Sequence, residues 1–184
     1  MSAGSAFRGG ISRVAATLTN RGNEEARAIW LEAALGESRA QSRVRESLPP
    51  GEDMRVSLDL GPAPHPAGTH TVDLTVHYTD SNGHAFSAVQ TVPLTTGEPL
   101  TAAPELAVGL DGTALARRGH MRLTVANVSA APVTTRIRLL LPRELGFDWP
   151  PRSVTLPPHE AREWSVLLHN RDAIAGSTYL VYAV

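Results

Sequence analysis

The chain has 184 residues, 42% of them hydrophobic and 19% charged, with a formal net charge of −1; this is a globular composition, large enough for one large or two small domains, with no basic excess to grip nucleic acid or an anionic membrane. All 17 basic residues are arginine and cysteine is absent, which excludes Schiff-base lysines, thiolate nucleophiles, disulfides and cysteine zinc sites. No apolar run reaches the ~18 residues of a membrane-spanning helix, and the opening MSAGSAFRGG lacks the apolar stretch of a signal peptide, so an export signal, if the protein has one, lies outside this chain.

In chain order, nearly every ordered segment alternates with period two, the pattern of a strand with one buried face. The first half predicts strands at Ser12–Asn20, Ala26–Leu35, Met54–Leu60, His70–Thr79 and His84–Leu94. Turn clusters separate them at Asn20–Asn23, Leu48–Glu52 and Gly61–Gly68. Glu24–Ser38 is rich in helix formers, and there the alternation competes with propensity. Short strands broken by proline and glycine corners predict an all-β sandwich.

Residues 98–104 read as a linker, after which the pattern starts again. RVAATLTNRG resembles MRLTVANVSA, pairing Asn20 with Asn127 at an offset of 107 (127 − 20). SLPPGEDMRVSLDL resembles TLPPHEAREWSVLL, pairing Pro49 with Pro157 at 108 (157 − 49). AGTHTVDLTV resembles AGSTYLVYAV, pairing Gly68 with Gly176, also at 108 (176 − 68). Three landmarks at one spacing predict a tandem repeat. The expected organisation is two immunoglobulin-like β-sandwiches, at 1–97 and 105–184. The second has an opening strand, Leu106–Leu110, with no counterpart in the first, and lacks its last hairpin. A chain cut from a longer protein would explain this; so would a strand supplied by a partner.

The segment Asp80-Ser-Asn-Gly-His84 raises the question of a metal loop. Asp80, Asn82 and His84 are spaced like the start of a calcium loop, but the glycine comes early and the twelfth position is Thr91 rather than a bidentate glutamate. Asn82-Gly83 instead predicts a type I′ hairpin corner. The seven histidines (His65, His70, His77, His84, His120, His159, His169) show no metal-binding spacing. No nucleophile elbow or phosphate loop is present, and the adjacent acids Glu24-Glu25 and Glu52-Asp53 do not make a spaced catalytic pair. No catalytic residue, metal or cofactor is therefore assigned.

The aromatic residues offer contact candidates. Trp164 is in register with Val166 and Leu168 and is expected in a core. Trp30 falls on the face opposite Ile29, Leu31, Ala33 and Leu35, where it either packs locally or is presented to a sugar ring or a protein. Phe147 and Trp149 lie in the loop LGFDWPP and either plug the second sandwich or form a presented contact.

The first half carries a family resemblance. An apolar strand ending in asparagine (Ala16–Ala26, ATLTNRGNEEA), a Leu-x-Pro-Gly-Glu corner (Leu48–Glu52), PAGTHTVDLTV (Pro66–Val76) and an Asp/Asn-Gly hairpin (Asp80–Gly83) resemble the bacterial CARDB-type domain and its Ig-like relatives. The likeness covers about residues 10–95; the second half is a divergent copy, with His159 where the pattern has glycine. It implies an Ig-like fold and a non-catalytic spacer, adhesion or assembly module of a larger envelope or secreted bacterial protein, outside the cytoplasm. The implied partners are neighbouring domains of the same polypeptide or another envelope protein. Polysaccharide binding and strand-exchanging assembly are the alternatives; nucleic acid and direct membrane insertion are not expected.

Overall fold

A computed structural model describes residues 1–62, 68–97, 105–112, 114–149 and 152–184. Among these residues the chain is all-β, with no helix and no sheet closed into a barrel. It divides into two compact units, Met1–Leu100 and Thr101–Val184. The expected linker at 98–104 lies outside the described residues.

Unit 1 contains β1 (Ser2–Arg8), β2 (Ile11–Thr19), β3 (Ala26–Leu35), β4 (Ser38–Gln41), β5 (Arg45–Leu48), β6 (Asp53–Pro62), β7 (Gly68–Thr79) and β8 (Ala85–Thr96). One sheet has the order β1-β2-β6; the other has β4-β3-β7-β8, with β5 also paired to β3. All pairings are antiparallel. Alternation sets the burial: Val14, Ala16 and Leu18 on β2 and Met54, Val56, Leu58 and Leu60 on β6 turn inward. They meet Ile29, Leu31, Ala33 and Leu35 of β3, Val72, Leu74 and Val76 of β7, and Val92 and Leu94 of β8 in one core. Two sheets each hide an apolar face by covering one another. The segment Glu24–Ser38 holds a strand rather than a helix because that burial outweighs local propensity.

Unit 2 contains β9 (Leu106–Asp111), β10 (Arg118–Asn127), β11 (Val133–Ile137), β12 (Leu139–Leu140), β13 (Leu145–Phe147), β14 (Arg152–Leu156), β15 (Ala161–Asn170) and β16 (Tyr182–Ala183). Its sheets are β13-β15-β10-β9, β11-β14 and β12-β16. The core gathers Met121, Leu123, Val125, Ile137, Leu139, Trp149, Val154, Leu156, Val166 and Leu168.

The registers of the two units correspond. Leu18 opposes Met54 on β2–β6, and Val125 opposes Arg162 on β10–β15. Ala26 opposes Leu48 on β3–β5, and Val133 opposes Leu156 on β11–β14. One difference changes a face. A bulge between Arg27 and Trp30, with Ala28 at φ 50°, reverses the parity of β3. In β11 the alternation runs without a break from Val133 to Ile137, and Leu139 and Ala183 oppose each other and both pack on the core.

The deepest correspondence is at the strand ends. Asn20 Nδ2 donates to the carbonyls of Glu24 and Leu48, both at 2.8 Å, and its Oδ1 accepts from the Gly22 N–H at 2.9 Å. Its backbone N–H donates to the Glu52 carbonyl at 3.1 Å. Asn127 Nδ2 donates to Ala131, Leu156 and Pro157 carbonyls at 2.8, 3.0 and 3.0 Å, its Oδ1 accepts from the Ser129 N–H at 2.9 Å, and its N–H donates to the Glu160 carbonyl at 2.9 Å. Each asparagine thus ties the end of one strand to the proline corner that starts another. The corner requires a left-handed residue, supplied by Gly51 (φ 80°) in unit 1 and by His159 (φ 60°) in unit 2.

Two expectations are corrected here. The opening strand has a counterpart in the first unit: β1 pairs with β2 from Ser2↔Thr17 to Arg8↔Ile11, as β9 pairs with β10. Its inward residues, Ala3, Ser5 and Phe7, are only half-buried and include a single large apolar side chain, so it leaves little apolar signature. The hairpin corner is present but is not type I′. The Gly83 N–H closes a turn onto the Asp80 carbonyl at 3.1 Å, and Gly83 alone takes a positive φ (83°), where type I′ needs two such residues. Asp80 sets this geometry: its Oδ1 accepts from the N–H groups of Asn82 (2.9 Å) and His84 (2.8 Å), and its Oδ2 lies 3.1 Å from His84 Nδ1. Desolvation pushes the Asp80 carboxyl up, but the hydrogen bonds from the His84 ring and the two backbone N–H groups together outweigh it and hold the group below its ordinary value.

Three outcomes are expected. Asn127→Ala removes both amide donors from buried carbonyls and lowers unit 2 stability by about 3 kcal/mol, and half-buried Asn20→Ala lowers unit 1 by about 1–2 kcal/mol, read as shifts in urea midpoint at unchanged slope. His159→Gly relieves a left-handed side chain and raises the thermal midpoint of unit 2, a gain of about 0.5–1 kcal/mol. Because the folded Asp80 pKa is depressed, its contribution is complete above the unfolded-state value of about 4 and is lost as pH falls through the folded value. The stability gap between the unaltered chain and Asp80→Asn should therefore be constant near neutrality and close on acidification below about pH 4 in pH-dependent denaturation.

Candidate functional site

Trp30 lies on the outer face of the β4-β3-β7-β8 sheet, opposite His77 on β7. The half-buried indole stacks on the His77 imidazole, with centroids 4.0 Å apart and planes 15° apart. His77 Nε2 is 3.9 Å from Glu32 Oε2 on the same face. One face of the indole is thus taken by a ring of its own domain, and a sugar stacking on Trp30 would have to use the other face.

Phe147 and Trp149 are not a presented pair. Phe147 sits on β13 opposite Leu168 and packs on the unit 2 core. Trp149 is 8% exposed, and its ring meets Trp164 edge-on at 5.7 Å and 81°. The residue between them faces the other way: Asp148 Oδ2 lies 2.8 Å from His169 Nε2. The proline-rich loop therefore folds its aromatic side chains inward and keeps its acid outside. Trp164 packs on the core in register with Val166 and Leu168.

The described histidines are paired locally or exposed, not clustered. His84 meets Asp80, His169 meets Asp148, and His120 Nδ1 is 2.9 Å from Ser165 Oγ. Among the described residues no group of three or more His, Asp or Glu side chains is arranged to hold a metal. His65 lies outside the described residues.

Two concave sites were not legible in the sequence. The first is a cavity of about 410 Å³ at the Asn20 end of unit 1. Leu18, Ile29, Leu48 and Val76 line it, beside Tyr78 and Phe86, which stack at 5.4 Å and 15° across the β7–β8 hairpin. Glu24, Glu25 and Asp80 stand at its rim, with Ser81 Oγ donating to Glu24 Oε2 at 2.6 Å. The polar groups here already serve the corner and the turn, so the space suits an apolar filler better than a polar substrate.

The second is a groove of about 690 Å³ in unit 2, running between the β9-β10-β15 face and residues 173–181. Leu110, Leu115, Met121, Leu145 and Leu168 line one side; Ile174, Leu180 and Val181 line the other. Ile174 is 41% and Leu180 62% exposed. One edge of β16 pairs with β12, and its other edge has no strand among the described residues.

No family model matches the chain, and no curated protein matches it. Among solved structures it is similar to red sea bream transglutaminase in a crystal structure, at 15% identity and a TM-score of 0.33, over 96% of this chain and 27% of that one. The chain therefore spans about a quarter of the length of that protein.

Proposed function

We propose that the chain is a tandem pair of Ig-like β-sandwiches that acts as a non-catalytic spacer and assembly module of a larger bacterial envelope or secreted protein. The observation that carries this reading is the asparagine clamp, made with the same bonds in both units at Asn20 and Asn127. A module repeated down to its corner hydrogen bonds is built for shape, and its chemistry-bearing side chains serve that shape. Asp80 organises a turn, and Trp149 fills a core. The resemblance of residues 10–95 to CARDB-type domains supports the extracytoplasmic setting and partners among neighbouring domains of the same or another envelope protein.

Strand-exchanging assembly is the second reading, favoured by the groove beside β16. Carbohydrate binding has less support, because the indole of Trp30 already stacks on His77.

Mechanical unfolding tests the spacer reading. A chain pulled from its ends should give two discrete events, with contour gains of about 350 Å for unit 1 and about 300 Å for unit 2. A smooth extension without events would overturn it. Retention on an insoluble polysaccharide that disappears in Trp30→Ala would replace it with carbohydrate binding.

A further inference from the structure

Of the five asparagines in the chain, Asn82 alone is followed by glycine. A peptide nitrogen can attack the side-chain carbonyl of the asparagine before it, and the side chain on the attacking residue limits that approach. Glycine, with no Cβ, offers no obstruction. Asn82 and Gly83 are both exposed, and a Cβ built on Gly83 would meet nothing within 4 Å, so there is room for a ring and access for water. The Asn82 carboxamide makes no hydrogen bond among the described residues, whereas those of Asn20, Asn127 and Asn170 are tied to backbone. What is held at Asn82 is the backbone. The Gly83 N–H donates to the Asp80 carbonyl at 3.1 Å, and Asp80 Oδ1 accepts from the N–H groups of Asn82 and His84 at 2.9 and 2.8 Å. Attack requires Asn82 to rotate about the bond that leads to the Gly83 nitrogen, and that rotation pulls the Gly83 N–H off Asp80.

We infer that Asn82 is a site of spontaneous covalent modification, held in check by the Asp80 turn, and that its conversion loosens the corner between β7 and β8. The Gly83 nitrogen gives up its proton and bonds to Asn82 Cγ. The bond from Cγ to the amide nitrogen breaks, and ammonia leaves with that proton, closing a succinimide ring. Water then opens the ring at either carbonyl. Addition at Cγ leaves aspartate; addition at the backbone carbonyl leaves isoaspartate, with the main chain routed through the side chain. Water is the co-reactant, and nothing is oxidised or reduced. Both products place a carboxylate beside Asp80 and near Glu24, whose Oε2 accepts from Ser81 Oγ at 2.6 Å. Isoaspartate also adds a methylene to the backbone. It does so in a closed turn, where the ladder runs unshifted to Thr79↔Ala85 and the Asp80 N–H donates to the His84 carbonyl at 3.0 Å. The extra length has no place there, so the bonds from Asn82 and His84 to Asp80 are the ones it disrupts.

The test incubates the 184-residue chain folded in buffer and unfolded in urea, at one pH and temperature, and locates each conversion by peptide mass mapping. In the unfolded chain Asn82 should convert ahead of the other asparagines, to both aspartate and isoaspartate. In the folded chain it should convert about tenfold more slowly, because the turn must first open against a few modest hydrogen bonds. Asp80→Ala should recover most of that factor while unit 1 stays folded, as its urea midpoint will show. Folded chain that has converted to isoaspartate should exchange its amide hydrogens faster at Thr79–Ala85, with β2 and β6 unchanged. Absence of conversion at Asn82 in the unfolded chain overturns the site. Equal rates in the folded and unfolded chain, or a folded Asp80→Ala no faster than the unaltered chain, overturn the restraint by Asp80. Unchanged exchange at the corner after conversion overturns the loosening. If Asp80→Ala does not fold, the comparison of the unaltered chain with and without urea decides the restraint by itself.

Discussion

The structure depends on one side chain used twice. A carboxamide offers two N–H donors and a carbonyl acceptor on one planar group. At Asn20 and Asn127 all three functions are spent on backbone: the carbonyls of the proline corner and of the loop after the strand, and the N–H of a turn two residues on. Aspartate has no donor for the carbonyls, and serine is too short to reach across the strand end. Asparagine answers because the corner, rich in proline, has few N–H groups of its own. Fixing the end of β2 against the start of β6 also fixes their register, from Val14↔Leu58 to Thr19↔Asp53. Register decides parity, and a slip of one residue would turn every apolar side chain of the strand outward.

Parity then separates the two units. In unit 1 the bulge at Ala28 reverses the inward face of β3, and β7 follows it across the ladder, so Val72, Leu74 and Val76 meet Leu31 and Ala33 inside. β11 runs without that extra residue, and Val181 and Ala183 become the inward side chains of the last strand. A single residue inserted in one strand thus reassigns the face of another strand far along the chain. The second unit fills its core differently as well. Trp149 enters from a loop, is buried, and packs edge-on against Trp164.

Much of this was legible in the sequence where burial imposes period two. The five expected strands of the first half differ from β2, β3, β6, β7 and β8 by two residues or fewer at each end. The repeat landmarks fell on the clamp itself, because Asn20, Pro49 and their counterparts sit at positions that only a few residue types can fill. Legibility failed where the signal is not apolar alternation. β1 turns inward only Ala3, Ser5 and Phe7, and β4 and β5 have four residues each, too short for a period to register. The turn shifted by one residue because the Asp80 carboxylate takes the N–H groups of Asn82 and His84, the latter being the one a type I′ corner over Asn82-Gly83 would close with. Trp149 gave two readings in sequence because only tertiary packing decides whether a loop aromatic turns in or out. The cavity and the groove draw their walls from segments far apart in the chain, and no local pattern encodes them.

An open strand edge is a hazard as well as an opportunity, since unpaired backbone templates aggregation as readily as recognition. In unit 2, among the described residues, β16 is a two-residue strand paired with β12 and extended by the Arg138–Val184 pair. The sheet around β10 does not depend on it. β10 is held between β9 and β15, Asn127 ties its end to the proline corner, and Trp149 packs edge-on against Trp164 in the core. The part of unit 2 that resists opening is therefore the part whose register the asparagine clamp sets, and loss of the clamp exposes strands that burial alone would not hold in place.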